Sequence, residues 1–485
     1  MRGEEDSGVK RHISIFVFLS IALCLLFCMG IVSAAPSIVA WSSSGGNPTY
    51  KDNPQDLIYK VQEGDTITFT VTSDQSCDHV WKVFKGSEEL TTYTEHNTKT
   101  SSFTWTVPSE KNNWDITVFL LPPSVGPRPR LTWTLTTSAL ITVNPGESIQ
   151  NAIDSLPPEG GVVELKEGTW NINNAAAPIW IKKSNITLRG QGKDKTIINA
   201  TEKLNVWKAL IRIFNGTESE WENYVIDLWS GKYPNLEDCD ISNVRIEDIH
   251  FHGASIEIDY LWGNTAIEMG RNRNCSFANL LIDNIGNAIQ FHGSYYMLME
   301  DCVLKENSIC SDSTWFHSIW RNNILGYTYH PHNIKLNGGC HHNQFIGNIF
   351  GPAYSGNSHG LYFYMLSNHC VVENNIFRGL GTDAGYAIRS ATSYELLIKN
   401  NVFFDNNVGF ALTHHDYGEP GTITIKNNIF IDNNIGVQSE VSGATFILSH
   451  NDFYNNGINY DGVAAGTGDI YVCLLYTSPS PRDRG

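Results

Sequence analysis

Basic and aromatic side chains recur at matching positions in six strand-like phrases of the second half of the chain. Because side chains alternate across a strand, the second and fourth residues of each phrase point the same way. The second positions are Gln290, Lys335, Tyr362, Arg389, Ala411 and Gln438. The fourth positions are His292, Asn337, Tyr364, Ala391, Thr413 and Glu440. Aligned in this way, the phrases predict one outward face that carries Lys, Arg, His and Tyr.

An outward face of this composition suits an anionic sugar. Lysine and arginine neutralise a uronate carboxylate, tyrosine rings stack on sugar rings, and His, Tyr, Lys or Arg can move a proton. Three histidines, His330, His332 and His359, come just before these strands and extend the candidate substrate site. The alternative is a solvated strand face that is polar without binding a ligand.

The element that positions these residues is a repeat. An Asn-containing phrase returns six times and ends at Leu325, Phe350, Phe377, Phe403, Phe430 and Phe453. Its last residues lie 25, 27, 26, 27 and 23 residues apart. A period in this range indicates a repeat architecture in which each unit packs only on its neighbours.

Each repeat contains runs of three to five apolar or β-branched residues, which are too short for helices. Such units predict coils of short strands that stack at about 4.8 Å. The Asn pair fits a coil corner for two reasons: Asn tolerates a left-handed bend, and stacked amides form a hydrogen-bonded ladder. The sequence therefore predicts an all-β protein with a large parallel solenoid.

From about Leu140 to Gly462 the chain resembles right-handed parallel β-helix proteins, the group with pectate lyases, phage tailspikes and carbohydrate-binding and sugar-hydrolysis repeats. The phrase from Ser184 to Gly192 is similar to an early-coil phrase of pectate-lyase-like helices. The resemblance implies a right-handed parallel β-helix. It leaves the activity open, because one fold hosts many functions.

The segment from Tyr327 to His332 is similar to the Tyr-x-x-Asp-Pro-His motif of mannuronan C5-epimerases, which are also β-helices. The resemblance implies catalytic roles for Tyr327 and His332. The family's first Asp is His330 here, and its second Asp falls at about Tyr364. The alternative is that Pro331 only sets the turn.

Carboxylate pairs and metal motifs are scarce in the central coils. Glu300, Asp301 and Glu306 do not form a recognisable calcium pattern, so no metal site and no cofactor is predicted, with calcium bound without a defined motif as the alternative. Hydrolysis by paired carboxylates needs two or three close acids. Basic and aromatic residues in their place favour elimination or binding over hydrolysis.

The charge and the cysteine content of the chain limit which ligands and cross-links it can have. Without the two terminal segments described below, 28 basic residues face 46 acidic ones, a net charge of −18 that argues against nucleic acid. Seven cysteines remain in this part of the chain. An odd number without a C-x-x-C pair favours buried thiols, with one or two disulfides as the alternative.

The sequence predicts four segments. Residues 1–34 resemble a secretory signal, with an uncleaved membrane anchor as the alternative. Residues 36–138 predict a β-sandwich that resembles PKD or immunoglobulin-like modules on archaeal surface proteins. Residues 139–472 form the predicted β-helix, and residues 473–485 look like a translated sequencing adapter.

Two segments of the predicted β-helix are not strand-like. A short helix near Glu147 to Leu156, with Ile149, Ala152 and Ile153 on one face, would cover the open end of the coil. The stretch from Glu202 to Asp240 predicts a long loop that flanks a binding groove or packs on the coil.

Together these patterns predict a secreted or cell-surface β-helix protein that binds an extracellular, acidic polysaccharide or surface glycan. Lyase-type cleavage is the enzymatic form of the hypothesis. One rival is a non-catalytic surface-layer or adhesion protein that uses the β-helix as a scaffold. Another is a uronan C5-epimerase-like enzyme.

Overall fold

The computed structural model describes residues 36–45, 57–110, 112–121, 126–232, 234–257, 263–329, 332–337, 339–354, 356–364, 367–381, 384–391, 395–413 and 421–471. The predicted signal and adapter segments, as well as His330 and Pro331, lie outside these ranges. In the described part of the chain, the α-helices are too short or too polar to cross a membrane.

The predicted β-helix is confirmed: three parallel sheets run along the chain, and successive coils add one strand to each sheet. Sheet 1 carries the predicted outward face. Its strands are β10 (Ile179–Ile181), β13 (Ala209–Ile213), β14 (Ile241–Ser242), β17 (Thr265–Gly270), β18 (Asn272–Arg273), β21 (Asn287–Tyr295), β24 (Ser311–Phe316), β27 (His332–Leu336), β30 (His359–Phe363), β33 (Tyr386–Ser390), β36 (Val408–Leu412), β39 (Ile435–Ser439) and β42 (Ile458–Asp461).

Sheet 2 follows sheet 1 around each coil. Its strands are β7 (Ala139–Val143), β8 (Gly161–Leu165), β11 (Ile186–Arg189), β15 (Arg245–Glu247), β19 (Ser276–Ala278), β22 (Leu298–Glu300), β25 (Ile319–Arg321), β28 (Gln344–Ile346), β31 (Val371–Glu373), β34 (Leu396–Lys399), β37 (Thr422–Lys426) and β40 (Thr445–Ser449).

Sheet 3 closes the coil. Its strands are β9 (Gly168–Ile172), β12 (Thr196–Ala200), β16 (His250–Ser255), β20 (Leu281–Ile285), β23 (Val303–Lys305), β26 (Ile324–Gly326), β29 (Ile349–Phe350), β32 (Ile376–Arg378), β35 (Val402–Phe404), β38 (Ile429–Ile431) and β41 (Asp452–Tyr454).

The Asn phrases form the predicted corner between sheets 2 and 3, and the two Asn residues of each phrase have different structural roles. The first residue, such as Asn374 with a φ of 57°, takes the left-handed bend. The second is buried and joins the ladder: Asn375 donates to Asn401 Oδ1 through its backbone N–H at 2.8 Å and through Nδ2 at 3.0 Å. The phenylalanines that follow stack inside the coil, and the Phe403 and Phe430 ring centroids are 4.5 Å apart.

Helix α1 (Ile149–Ser155) begins at Ser148, whose side chain accepts the Asn151 N–H, and buries Ile149, Ala152 and Ile153 as predicted. Helix α2 (Glu218–Trp229) lies in the segment that the sequence predicts as a long loop. Thr217 and Glu220 form its N-terminal capping box. The described cysteines are buried free thiols.

The N-terminal part is one six-stranded sheet that folds over its own core; its strand pairs are antiparallel except for the parallel pair of β2 and β6. Its strands are β1 (Ile38–Gly45), β2 (Ile58–Lys60), β3 (Thr66–Lys85), β4 (Glu88–Thr106), β5 (Asn113–Leu121) and β6 (Arg130–Thr136). The first half of β3 pairs with β1 and its second half pairs with β5. Between the layers, the Trp133 ring lies 5.0 Å from Phe69 and 5.9 Å from Trp81.

This sandwich packs against the outer face of sheet 2 through a network of buried ions. Asp115 pairs with Arg245 at 3.0 Å, and Arg130 pairs with Glu247 at 3.3 Å and with Glu300 at 3.4 Å. The remaining members of the network are Arg128, Arg189, Arg321, Asp248 and Asp301. The acids Glu300 and Asp301, for which the sequence suggested no partner, are therefore structural ion pairs.

Candidate functional site

Three neighbouring strands of sheet 1 present the predicted outward column. In the register of β27, β30 and β33, Lys335 pairs with Tyr362 and Tyr362 with Arg389. The next two coils continue the column with Ala411 and Gln438. The sequence alignment is thus confirmed from Lys335 to Gln438. Between Gln290 and Lys335 it omitted the coil of β24, whose Asp312 is the register partner of Lys335.

The side chains of this column contact each other through their rings. The Arg389 guanidinium lies 4.7 Å above the Tyr362 ring, and Lys335 Nζ lies 4.8 Å above the Tyr364 ring. The two tyrosine rings are 5.3 Å apart. The wall, as we call His332, Lys335, His359, Tyr362, Tyr364, Tyr386 and Arg389, therefore holds its cations by cation–π contacts.

Two histidines of the wall, His332 and His359, contact each other and Tyr362. The His332 ring lies 5.2 Å from both the His359 and the Tyr362 rings. Burial and the nearby Arg389 guanidinium lower the pKa of His359 to about 3. His359 is therefore neutral at physiological pH.

Neutral His359 is surrounded by hydrogen-bond donors. Its Nδ1 lies 3.3 Å from the backbone N–H of Tyr386, and its Nε2 lies 3.3 Å from Arg389 Nη1. A neutral imidazole has one lone pair and one N–H, so it can accept only one of these two bonds. Arg389 also donates to the Thr413 hydroxyl at 3.2 Å. Among the described residues no carboxylate pairs with Arg389, so this end of the wall has more donors than acceptors.

Gln290 and His292 belong to the same face but are buried, at 0% and 5% exposure. Helix α2 covers His292: the Trp221 ring lies 5.3 Å from the His292 ring, and Tyr224 Oη donates to the His292 carbonyl at 2.6 Å. Burial, with Arg212 nearby, lowers the pKa of His292 to about 3. The open surface expected at these two positions is therefore absent in this structure, and their role in substrate binding stays a prediction.

Tyr327 lies apart from the wall contacts. The residue is 38% exposed, and its ring centroid lies 5.5 Å from that of Tyr354, which also contacts Tyr329 at 4.7 Å. The structure thus brings together His332, His359, Lys335, Tyr362, Tyr364 and Arg389. It adds Tyr386, whose position 27 residues after His359 could have revealed it as the next member of that column.

A second group of histidines, at the corner between sheets 1 and 2, escaped the sequence analysis. His317, His342 and His369 take left-handed φ values of 51°, 57° and 51° in successive coils. Their rings stack at 4.7 Å and 4.8 Å, and His341 lies beside them. We call these four residues the histidine corner. Their spacing of 25 and 27 residues repeats that of the Asn phrases and is the signal that could have found them.

The imidazoles of the histidine corner influence each other. His341 Nδ1 lies 3.0 Å from His342 Nδ1. Burial and the neighbouring imidazoles lower the pKa of His341 to about 4, and burial with His342 lowers that of His317. Ligand atoms of His317, His341 and His342 all lie within 4.8 Å of one another.

A third group lies on the outer face of sheet 3. Asp283 Oδ1 is 2.9 Å from His250 Nε2 and 2.6 Å from His252 Nδ1. Although burial favours the neutral acid, these hydrogen bonds hold the pKa of Asp283 below its usual value. Here each imidazole has an acid partner, whereas no described acid pairs with His317, His341 or His342.

The described coils form a parallel β-helix, and part of this chain is similar to a known family. Residues 274–471 match the family model described as NosD, periplasmic copper-binding protein. The match includes the wall and the histidine corner but neither His250 nor His252. No curated protein matches the chain.

Several solved structures are similar in fold. The A-module of the Azotobacter vinelandii mannuronan C-5 epimerase AlgE4 is 15% identical, with 67% of this chain and 96% of that chain covered and a TM-score of 0.47. The catalytic domain of a GH87 alpha-1,3-glucanase in complex with nigerose is 12% identical, with 91% and 98% covered and a TM-score of 0.47. An alginate lyase from Paenibacillus sp. is 12% identical, with 68% and 97% covered and a TM-score of 0.33.

Proposed function

We propose that this protein works outside the cytoplasm and binds an acidic polysaccharide along the wall. The carrying observation is the excess of hydrogen-bond donors at Arg389, whose described partners include no carboxylate. A uronate carboxylate would supply both the negative charge and the missing acceptors. Arginine binds carboxylates well because its planar N–H groups match both oxygens.

The repeat of the wall supports a polymeric ligand over a single sugar. Lys335, Tyr362 and Arg389 come from successive coils that are in register. Strands in a sheet lie about 4.8 Å apart, a step close to the length of one sugar residue. A chain lying across the strands would meet a cationic or aromatic group at each step. The protein as a whole carries a net charge of −17, so the wall is a local exception.

Lyase-type cleavage is the enzymatic form of this proposal. Arg389 or Lys335 would neutralise the uronate carboxylate, which acidifies the proton on the adjacent ring carbon. A base takes this proton, the bond between the next carbon and the glycosidic oxygen breaks, a carbon–carbon double bond forms, and the leaving oxygen is protonated. His332 or Tyr364 would move the proton, a role worth about 10²–10⁴-fold in rate. His359, with a pKa of about 3, is too weak a base and would position the substrate.

Binding and turnover need separate measurements. Binding of polygalacturonate, alginate and a neutral glucan to the purified protein is measured by affinity electrophoresis, and turnover by the ultraviolet absorbance of unsaturated products. Arg389→Ala should weaken binding of the acidic polymers at least about tenfold, as expected for loss of a charge-assisted contact. Arg378→Ala is the matched control, because it removes the same charge from exposed sheet 3 one coil earlier.

The outcomes separate the hypotheses. His332→Ala should abolish turnover while binding survives if the wall is a lyase site. Binding without any turnover in the parent protein supports the non-catalytic surface protein. If Arg389→Ala and Arg378→Ala bind acidic polymers equally well, the ligand site is not the wall.

A further inference from the structure

The histidine corner contains imidazoles whose contacts are not explained by acid partners. His341 Nδ1 and His342 Nδ1 are 3.0 Å apart, and the His317 ring stacks on His342 at 4.7 Å. The two Nδ1 atoms thus lie side by side, with a ligand atom of His317 within 4.8 Å of them. By contrast, His369 at the end of the stack pairs with Glu395 at 2.7 Å and contacts Asn368 Oδ1 at 2.8 Å.

The geometry points to a site for one divalent transition-metal ion held by His317, His341 and His342. Their ligand atoms lie within 4.8 Å of one another. Two nitrogens that bind the same ion at ~2.0–2.1 Å can be at most about 4.2 Å apart. Small rotations of the rings would therefore close the set around one ion.

The donor set selects the class of metal. Imidazole ligands suit copper, zinc and nickel, whereas calcium and magnesium need oxygen ligands that this trio lacks. The neighbouring Cys340 is fully buried in the core, so its thiol does not complete a thiolate site. Among divalent ions, Cu²⁺ binds a given nitrogen site most tightly. The copper in the description of the matched family is consistent with this donor set.

The fold preorganises the trio. His317 and His342 occupy the same corner of successive coils, where left-handed backbone directs their rings into one column. His341 is held by a bridge to Phe316 in the preceding coil, and the two rings lie 4.9 Å apart. His342 is exposed, which leaves a side of the site open for water or another ligand. The metal is thus held on the coil and remains accessible from solvent.

The test is a titration of the untagged full chain with CuCl₂ in the presence of glycine, which suppresses adventitious binding to single surface histidines. Calorimetry gives the stoichiometry and Kd, and electron paramagnetic resonance reports nitrogen ligands. We expect one tightly bound Cu²⁺ per chain. His342→Asn should weaken its Kd at least about tenfold and change the spectrum, because Asn keeps the left-handed backbone but removes the imidazole.

His450→Asn is the matched control, since His450 occupies a left-handed corner with a φ of 55° on the other side of the coil. It should leave Kd and spectrum unchanged. His317→Asn repeats the test if His342→Asn fails to fold, as judged by circular dichroism. The proposal is overturned if the parent binds no Cu²⁺ under these conditions, or if both corner variants bind as tightly as the parent. A loss of binding on His252→Asn instead would assign the copper to the Asp283 group.

Discussion

The outer faces of sheets 1 and 2 both carry arginines, but the guanidinium groups have different partners on the two faces. On sheet 2, the sandwich covers the charges, and Arg245 lies within 3.0 Å of carboxylates from both parts of the protein. On the wall of sheet 1, Arg389 stacks on Tyr362 and donates to a hydroxyl. Charges that the neighbouring domain covers are paired within the chain, whereas Arg389 on the open face pairs with no carboxylate among the described residues.

The carboxylates of sheet 2 reflect this pairing. Burial would raise the pKa of Glu300, but Arg321, Arg130 and other guanidiniums hold it well below its usual value. Asp115 behaves differently, because burial and the charge of Glu247 outweigh Arg245 and raise its pKa to about 6. The network therefore contains an acid that is held charged and another that is easily protonated. Its strength is best probed by removing an arginine.

The largest expected effect comes from Arg245→Met. This change leaves Asp115 and Glu247 buried without their main partner, which costs about 3–5 kcal/mol of unfolding free energy. Urea denaturation followed by tryptophan fluorescence measures it. Arg271→Met is the control, because the side chains of the Arg271–Asp240 pair are 35% and 34% exposed and the pair should contribute less than about 1 kcal/mol. Equal losses in both variants would contradict the view that sheet 2 relies on paired buried charges.

A smaller loss is expected at the corner behind sheet 2, where polar groups are neutral. Asn375→Ala leaves the Asn348 backbone N–H and the Phe345 carbonyl without a partner. Buried unsatisfied groups of this kind cost about 1–3 kcal/mol each. The midpoint of urea denaturation should fall, whereas Asn374→Gly, at the left-handed position beside it, should change it little. If Asn375→Ala leaves the midpoint of urea denaturation unchanged, the ladder contributes nothing to stability.

Sheet 1 also has a covered region, under α2, and the pH dependence of stability can show that His292 is buried there in its neutral form. Burial and Arg212 lower the pKa of His292 in the folded state to about 3. Between this value and pH 6.5, His292 is neutral in the folded state but protonated in the unfolded state. The contribution of His292 to the free energy of unfolding is therefore fully present above pH 6.5 and is lost as the pH falls toward 3. Between pH 7.5 and 5.5 the loss is about 1 kcal/mol. His292→Gln should remove this part of the pH dependence; an unchanged slope would show that His292 is not held neutral.

The smallest effect on stability is expected on the open wall. Arg389→Ala removes a charge that makes cation–π and hydroxyl contacts, so unfolding free energy should fall by less than about 1 kcal/mol. The same variant is the one expected to lose glycan affinity. A large loss of stability would show that Arg389 is a structural residue like Arg245, and the contrast between the two faces would fail.

The sequence by itself determined everything that follows from the repeat. The Asn phrases predicted the coil, the left-handed corner and the ladder, and period-2 alternation placed Lys335, Tyr362 and Arg389 in one column. The same spacing would have predicted the histidine corner, since His317, His342 and His369 follow the coil period. These features depend on contacts between a residue and its counterpart one coil away, which a periodic sequence specifies directly.

Only the tertiary structure decided which parts of each face are covered. His292 and Tyr364 occupy equivalent positions, yet α2 covers the first and leaves the second half-exposed. Likewise, the sandwich converts Arg245, Glu247 and Glu300 from apparent surface charges into a buried network. Both coverings are made by segments outside the repeat. Their positions depend on long-range packing of non-periodic residues, and no spacing within the sequence encodes where such a segment comes to lie.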